Sequence, residues 1–334
     1  MKNLIILYYI FYSFTSLGQK VRVITEKEGI SFRGLSVVTD KVIWVSGNNG
    51  TVGKTIDGGA TWEWIKVEGY ESKDFRDIEA FDEHTAIIMA VGKPGLILKT
   101  GNKGINWKPV YTNDTPGMFL DAMEFWNSES GIVLGDPVNG RFFIARTFDG
   151  GNNWRPLTSD KLPKADSGEA CFAASGTNIR ALTRSEACFI TGGSVSRFFY
   201  KGDPIDLPMI SGKETQGANS IAVWFKNRKL PMIAVVGGDF KDPASNEKNC
   251  AVSLDGGKSW LLPRVSPNGY RSCVEFITEN RLITCGLNGV DISTDKGLNW
   301  KSISGEGFHV CRKAKRGKSV FLAWNGKIGK LVEQ

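Results

Sequence analysis

The sequence predicts an all-β chain folded as a single β-propeller, and three observations predict it. First, an eight-residue frame, Ser/Thr-x-Asp-x-Gly-x-x-Trp, recurs along the 334 residues, four times intact and once with Asn in place of Asp. Second, its tryptophans stand at positions 62, 107, 154, 260 and 300. Three of the gaps, 45, 47 and 40 residues, are one repeat long, and the fourth, 106, is two, so one repeat lacks the frame. Third, the repeats share one order: an apolar strand, a turn, a second strand ending in Gly, a third strand, the frame, and a fourth strand. Repeats of 40–50 residues built from short strands are the signature of propeller blades.

The frame is a hairpin tip. Asp57, Asp149, Asp255 and Asp295, with Asn102 in the fifth copy, are short acceptors placed to take the backbone N–H groups that follow and so close a turn. Glycine supplies the positive φ where the chain reverses. Trp62, Trp107, Trp154, Trp260 and Trp300 return on the next strand and are expected to bury a large ring. The frame is identified as the Asp box, or bacterial neuraminidase repeat. It occurs in hydrolases and in binding proteins alike, so its residues are read as structural.

Taken in order, the repeats span residues 31–67, 74–111, 118–157, 169–210, 217–263 and 269–303. The fourth keeps the strands without the frame. The fifth carries a ten-residue insertion at 239–248, of a kind that often serves binding. Residues 307–334 are too short for a full repeat and offer three strands, at 308–313, 319–324 and 327–332. The extended segment at 20–27 is the economical fourth, so that the N-terminal strand closes the last blade and removes exposed sheet edges. The expectation is seven blades in one domain, residues 19–334, folded as a monomer.

Residues 1–18 read as a signal peptide: Lys2, then an apolar stretch at 4–14, then Ser16-Leu17-Gly18. The expected destination is the periplasm or the exterior. The formal charge is +7, and removing the leader takes away one lysine and leaves +6. No other apolar run has membrane length. The two histidines lie far apart, and no Cys-x-x-Cys spacing occurs, so neither a metal nor a cofactor is expected. In an exported chain the six cysteines allow disulfides. Cys273 and Cys285 flank one hairpin turn and are the first candidate pair, and Cys171 and Cys188 hold similar places in the fourth repeat.

The segment 31–36, then Trp44-Val45-Ser46-Gly47, then Gly50-Thr51-Val52 and the first box resembles the photosystem II stability/assembly factor-like propellers, over most of the mature chain. That resemblance implies an assembly scaffold that holds a protein partner. No dinucleotide fingerprint accompanies it, and the vicinal Cys-Cys pair of quinone-cofactor propellers is absent.

Aligning the first strands gives a column holding Arg33, Arg76, Leu120, Glu169, Ser220, Arg271 and His309. Since the first strand is innermost, Arg33, Arg76 and Arg271 are expected to meet at one mouth of the channel. There they would bind an anionic group of a protein partner, or else brace neighbouring acids such as Asp77, Asp121 and Glu169. The alternative function is a sialidase-like glycoside hydrolase or glycan-binding propeller. Phe32-Arg33-Gly34-Leu35 resembles half of the sialidase Phe/Tyr-Arg-Ile-Pro motif, and Tyr200 or Tyr270 with Glu124 or Glu275 are its nominal nucleophile pairs. The basic run at 312–318 reads either as a contact for an acidic partner or as a solvated turn. Export argues against nucleic acid.

Overall fold

The computed structural model describes residues 18–183, 185–225 and 230–333. The leader expected at 1–18 lies almost wholly outside the described residues. The strands form antiparallel sheets arranged as a β-propeller, with hydrophobic clusters between successive sheets.

The described strands group into six blades, which corrects the expected seven. The reason is a single strand, Gln19–Val37, that serves two repeats. Its first half pairs with the last strand, Val320–Glu333, from Gln19↔Glu333 to Glu26↔Lys327. Its second half pairs with Ile43–Gly47, from Phe32↔Gly47 to Val37↔Ile43. Only four residues separate Glu26 from Ser31. There the register shifts and Gly29 takes φ +76°, so the ladder bends without ending. The tail likewise forms two strands, Val310–Lys313 and Val320–Glu333, where three were expected. The first and last repeats thus merge into one six-stranded sheet, and the two ends of the chain meet inside it.

Four of the recurring turns pack against the sheet before their own, and the first packs on strands from the chain's two ends. In the third repeat the Thr147 hydroxyl donates to Asp149 Oδ1 at 2.8 Å and accepts the Gly151 amide at 2.9 Å. The amides of Asn152 and Asn153 donate to Asp149 Oδ1, both at 3.0 Å. Asp57, Asp255 and Asp295 each accept the same hydroxyl and following amides, and Asn102 accepts the Asn106 amide at 3.0 Å. Gly151 has φ +78°, and a Cβ there would lie 2.3 Å from Ile87 Cδ1 of the preceding blade, so both conformation and packing require glycine. Lys54 donates to Lys103 O at 2.9 Å and Lys99 to Gly150 O at 2.7 Å, each from one blade to the turn of the next. Trp154 and Trp300 are buried, and Trp62, Trp107 and Trp260 half-buried. Trp154 meets Phe125 edge-on with centroids 5.8 Å apart.

The fourth repeat departs from its expected bounds. Its innermost strand is Ile179–Ala181, while Glu169–Ala170 pairs with Gly192–Gly193 and joins the next sheet. Residues 171–178, between these strands, cross the centre of the ring. The Ser175 hydroxyl donates to Ser272 O at 2.7 Å, Thr177 Oγ1 donates to Ser220 Oγ at 2.6 Å, and the Ile221 amide donates to Thr177 O at 2.9 Å. Arg33 Nη1 donates to Ala174 O at 3.2 Å and Arg312 Nη2 to Gly176 O at 3.2 Å. The segment is a plug, tied to strands on several sides of the channel.

Removing residues 19–26 should lower the melting temperature by more than about 5 °C, because it deletes most of a ladder that closes the ring and opens a sheet edge. A thermal melt of a chain starting at residue 27 against one starting at residue 19 checks this.

Asp149 supplies a pH signature. The Asn153 side-chain amide, chiefly, holds its carboxyl down to about 2 from the ordinary 3.8. A depressed folded value means that the stabilisation is full above pH 4 and is lost as pH falls through about 2. Asp149→Asn should therefore flatten the fall of melting temperature between pH 4 and pH 2, measured in parallel with the unaltered chain.

Candidate functional site

The plug gives the channel two separate ends. At one end the innermost strands run out into a cavity of about 740 Å³. Its charged lining alternates in sign: Glu79, Glu124 and Glu275 against Arg180, Arg312 and Lys315. Arg180 reaches Glu124 at 3.4 Å and Glu275 at 3.7 Å, and Arg312 reaches Glu275 at 3.8 Å. Lys315 pairs with Glu79. Burial pushes the carboxyls of Glu79 and Glu275 above their usual range. Burial alone would lower Arg312, but Glu275 and its other anionic neighbours outweigh it and raise its value, so the guanidinium stays charged. Half-buried Phe81, Trp126 and Trp224 add apolar surface to the wall. The basic run is thus divided. Arg312 lies against the plug, while Lys313, Lys315 and Arg316 edge the cavity.

At the other end the strand registers identify the residues that leave the ladder. The bulges fall at Arg33, Arg76, Asp121 and Asn219, each skipped between paired neighbours. The column read from sequence is therefore one residue off in two repeats, with Asp121 in place of Leu120 and Asn219 in place of Ser220. A bulge re-aims its side chain, which local patterning does not reveal. Arg33 and Arg76 do come near one another. Burial lowers the Arg33 value first, and the Arg76 charge lowers it further. Arg76 Nε also donates to Asp74 Oδ2 at 2.7 Å. His309, pushed down to about 3 by burial and then by Arg33, is neutral at ordinary pH.

Arg271 does not belong to this group. It is fully buried, with Nε donating to Asp291 Oδ2 at 2.6 Å and Nη1 to Asn288 Oδ1 at 2.7 Å, so it braces its own blade. The nominal tyrosine–glutamate pairs are not brought together. Tyr270 donates to Asn219 Oδ1 at 2.8 Å and Tyr200 to Glu186 Oε2 at 2.9 Å, whereas Glu124 and Glu275 face Arg180. The insertion at 239–248 packs back onto the ring: Pro243 O accepts the Tyr270 amide at 3.0 Å and the Asn288 side chain at 2.8 Å.

All six cysteines are buried free thiols in this structure. Cys273 and Cys285 are direct cross-strand partners, as their placement about the turn suggests, but no bond joins them. Cys171 does not sit opposite Cys188, whose partner in register is Arg180. Cys171 begins the plug, and its amide donates to Asp136 Oδ1 at 2.9 Å.

Comparison with known proteins bears on this geometry. The family model described as Photosynthesis system II assembly factor YCF48 matches residues 19–119. No curated protein sequence matches the chain. Among solved structures, "YCF48 bound to D1 peptide" superposes with a TM-score of 0.65 at 16% identity, covering 94% of this chain and 97% of that one. YCF48 from Cyanidioschyzon merolae gives 0.63 at 17% identity, covering 93% and 98%. A streptogramin B lyase gives 0.68 at 14% identity, covering 96% and 100%, so the same fold also carries an enzyme. Over residues 19–119 the chain is thus similar to photosystem II assembly factor YCF48, and along almost its whole length it shares that protein's β-propeller fold.

Proposed function

We propose that the protein is an exported, non-catalytic scaffold that holds a peptide segment of a protein partner in the charged cavity at one end of its channel. The observation that carries this reading is the cavity's construction. Its wall draws paired acids and bases from separate blades, and its edge is cationic and aromatic. The plug turns the channel into a cup, which suits a chain end or loop better than a threaded strand. Lys313 and Arg316 offer an anionic peptide group its counter-charge, and the aromatic wall offers flat apolar contact. The structure titled as YCF48 with a D1 peptide supports a peptide as the ligand class.

Export rests on the leader-like residues 1–18. The non-catalytic part is supported by the separation of the tyrosines from the cavity glutamates. Arg33 and Arg76, at the opposite end, remain candidates for a second anionic contact.

Fluorescence anisotropy with labelled peptides carrying an acidic C-terminal end tests the reading. The mature chain should bind, and Lys313→Glu with Arg316→Glu should weaken binding at least about 10-fold, or ~1.4 kcal/mol, with little change in melting temperature. Arg33→Ala with Arg76→Ala should leave it within about 3-fold. The reverse pattern would move the site to the other end, and turnover of a sialic-acid derivative would overturn the non-catalytic reading.

A further inference from the structure

We infer that Asp121, Asp136 and Cys171 form a binding site for a divalent transition-metal ion of the zinc class, built where the third blade meets the start of the plug. One donor atom from each residue lies within 4.8 Å of the others. A tetrahedral zinc ion, about 2.0–2.3 Å from its oxygen and sulfur donors, needs them about 3.3–3.7 Å apart. Side-chain rotations of about an ångström close that difference.

The second observation is Asp121 itself. It is fully buried, and neither of its carboxylate oxygens has a well-formed hydrogen bond, although the Asp136 and Ala173 amides lie close enough to favour its charged form. The nearby Asp136 amide is already spent on Phe119 O at 3.0 Å. A buried carboxylate without a partner is costly, and native proteins rarely leave one. Protonation alone would not answer it, because the neutral acid still has a donor and acceptors to satisfy. Arg76 lies within electrostatic reach, but its Nε is held by Asp74. A cation on the Asp136 and Cys171 side satisfies one of the bare oxygens directly.

The other two donors are arranged for the same purpose. Asp136 accepts the Cys171 amide through Oδ1, which orients the carboxylate and leaves Oδ2 for the ion. The bulge at Asp121 aims that side chain out of the ladder. Half-buried Asp136 provides the way in. A thiolate among the donors favours zinc over magnesium or calcium, which take oxygen. Two carboxylates and a thiolate around a divalent ion sum to −1, less charge than the three anions alone would bury. Without the ion, burial above all and then the neighbouring acids push Asp121 and Cys171 well above their usual values, and burial pushes Asp136 to about 6.

The test uses the mature chain purified without a metal-binding tag. Calorimetry should find one Zn²⁺ per chain, and Zn²⁺ should raise the melting temperature. Co²⁺ should give a thiolate-to-metal charge-transfer band in the near ultraviolet. Cys171→Ser should abolish that band. Asp121→Asn should weaken Zn²⁺ binding by more than about 100-fold, beyond the roughly 10–100-fold typical of losing an outer-shell partner. Circular dichroism shows whether each variant is folded, and either folded variant suffices. A folded unaltered chain that binds neither ion, or binding that survives either substitution, overturns the site.

Discussion

Ring closure is the constraint on which the rest of the structure depends. A propeller is a sheet array with two free ends, and each end exposes unpaired backbone groups unless the chain joins them. Here one strand, Gln19–Val37, does the joining by pairing with the last strand along its first half and with its own repeat along its second. Phe32, Leu35 and Val37 on that strand share one apolar cluster with Val310, Phe321 and Ile328 from the other end of the sequence. The first and last repeats therefore stand or fall together. The charged cavity needs the same closure, because Arg312 and Lys315 come from the last repeat while Glu79 and Glu124 come from the second and third.

The second organising feature is the plug. Repeats alone would leave an axial channel lined by the innermost strands. The fourth repeat has no recurring turn, and the chain that leads into it is spent across the centre instead. The small residues Ala173, Ala174, Ser175 and Gly176 let backbone approach strands on opposite sides, and Gly176 packs directly against the Asp77 carboxyl. This divides one channel into two chemically different ends. One end holds compensated acid–base pairs in an open cavity. The other gathers Arg33, Arg76, His309 and Asn219 in a more buried setting, with Asp121 to one side.

The arginines show how equal positions can acquire unequal roles. Arg33 reaches the plug, Arg76 is shared between Asp74 and the field of Asp121, and Arg271 turns into its own sheet toward Asp291. What separates Arg271 is a fully buried acid within reach in its own sheet. Asp291 faces Arg271 across a fully buried gap, and an unpaired charge there would be far costlier than a paired one. Burial likewise keeps all six cysteines as packed apolar side chains, and it is proximity to two acids that sets Cys171 apart.

The sequence by itself determined the all-β propeller, its repeat length and its turns, because the information is local. The hydrogen bonds of each recurring turn span four residues or fewer, and its glycine is required by a positive φ. What only the tertiary structure decided lies at longer range. The merging of first and last repeats into six blades depends on a ladder between residues some 300 positions apart, continued across a bend too short to break it. The choice of which residue faces the centre was set by bulges, and shifting the slot by one exchanges Leu120 for Asp121. The plug has no periodic signal, since its hydrogen bonds go to other blades. The cavity's ion pairs and the Asp121, Asp136 and Cys171 cluster draw on residues separated by tens to hundreds of positions, with no spacing rule to announce them. Periodicity reports which face of a strand is apolar. It does not report which polar side chains from different strands will share a buried space, and that is decided only when the ring closes.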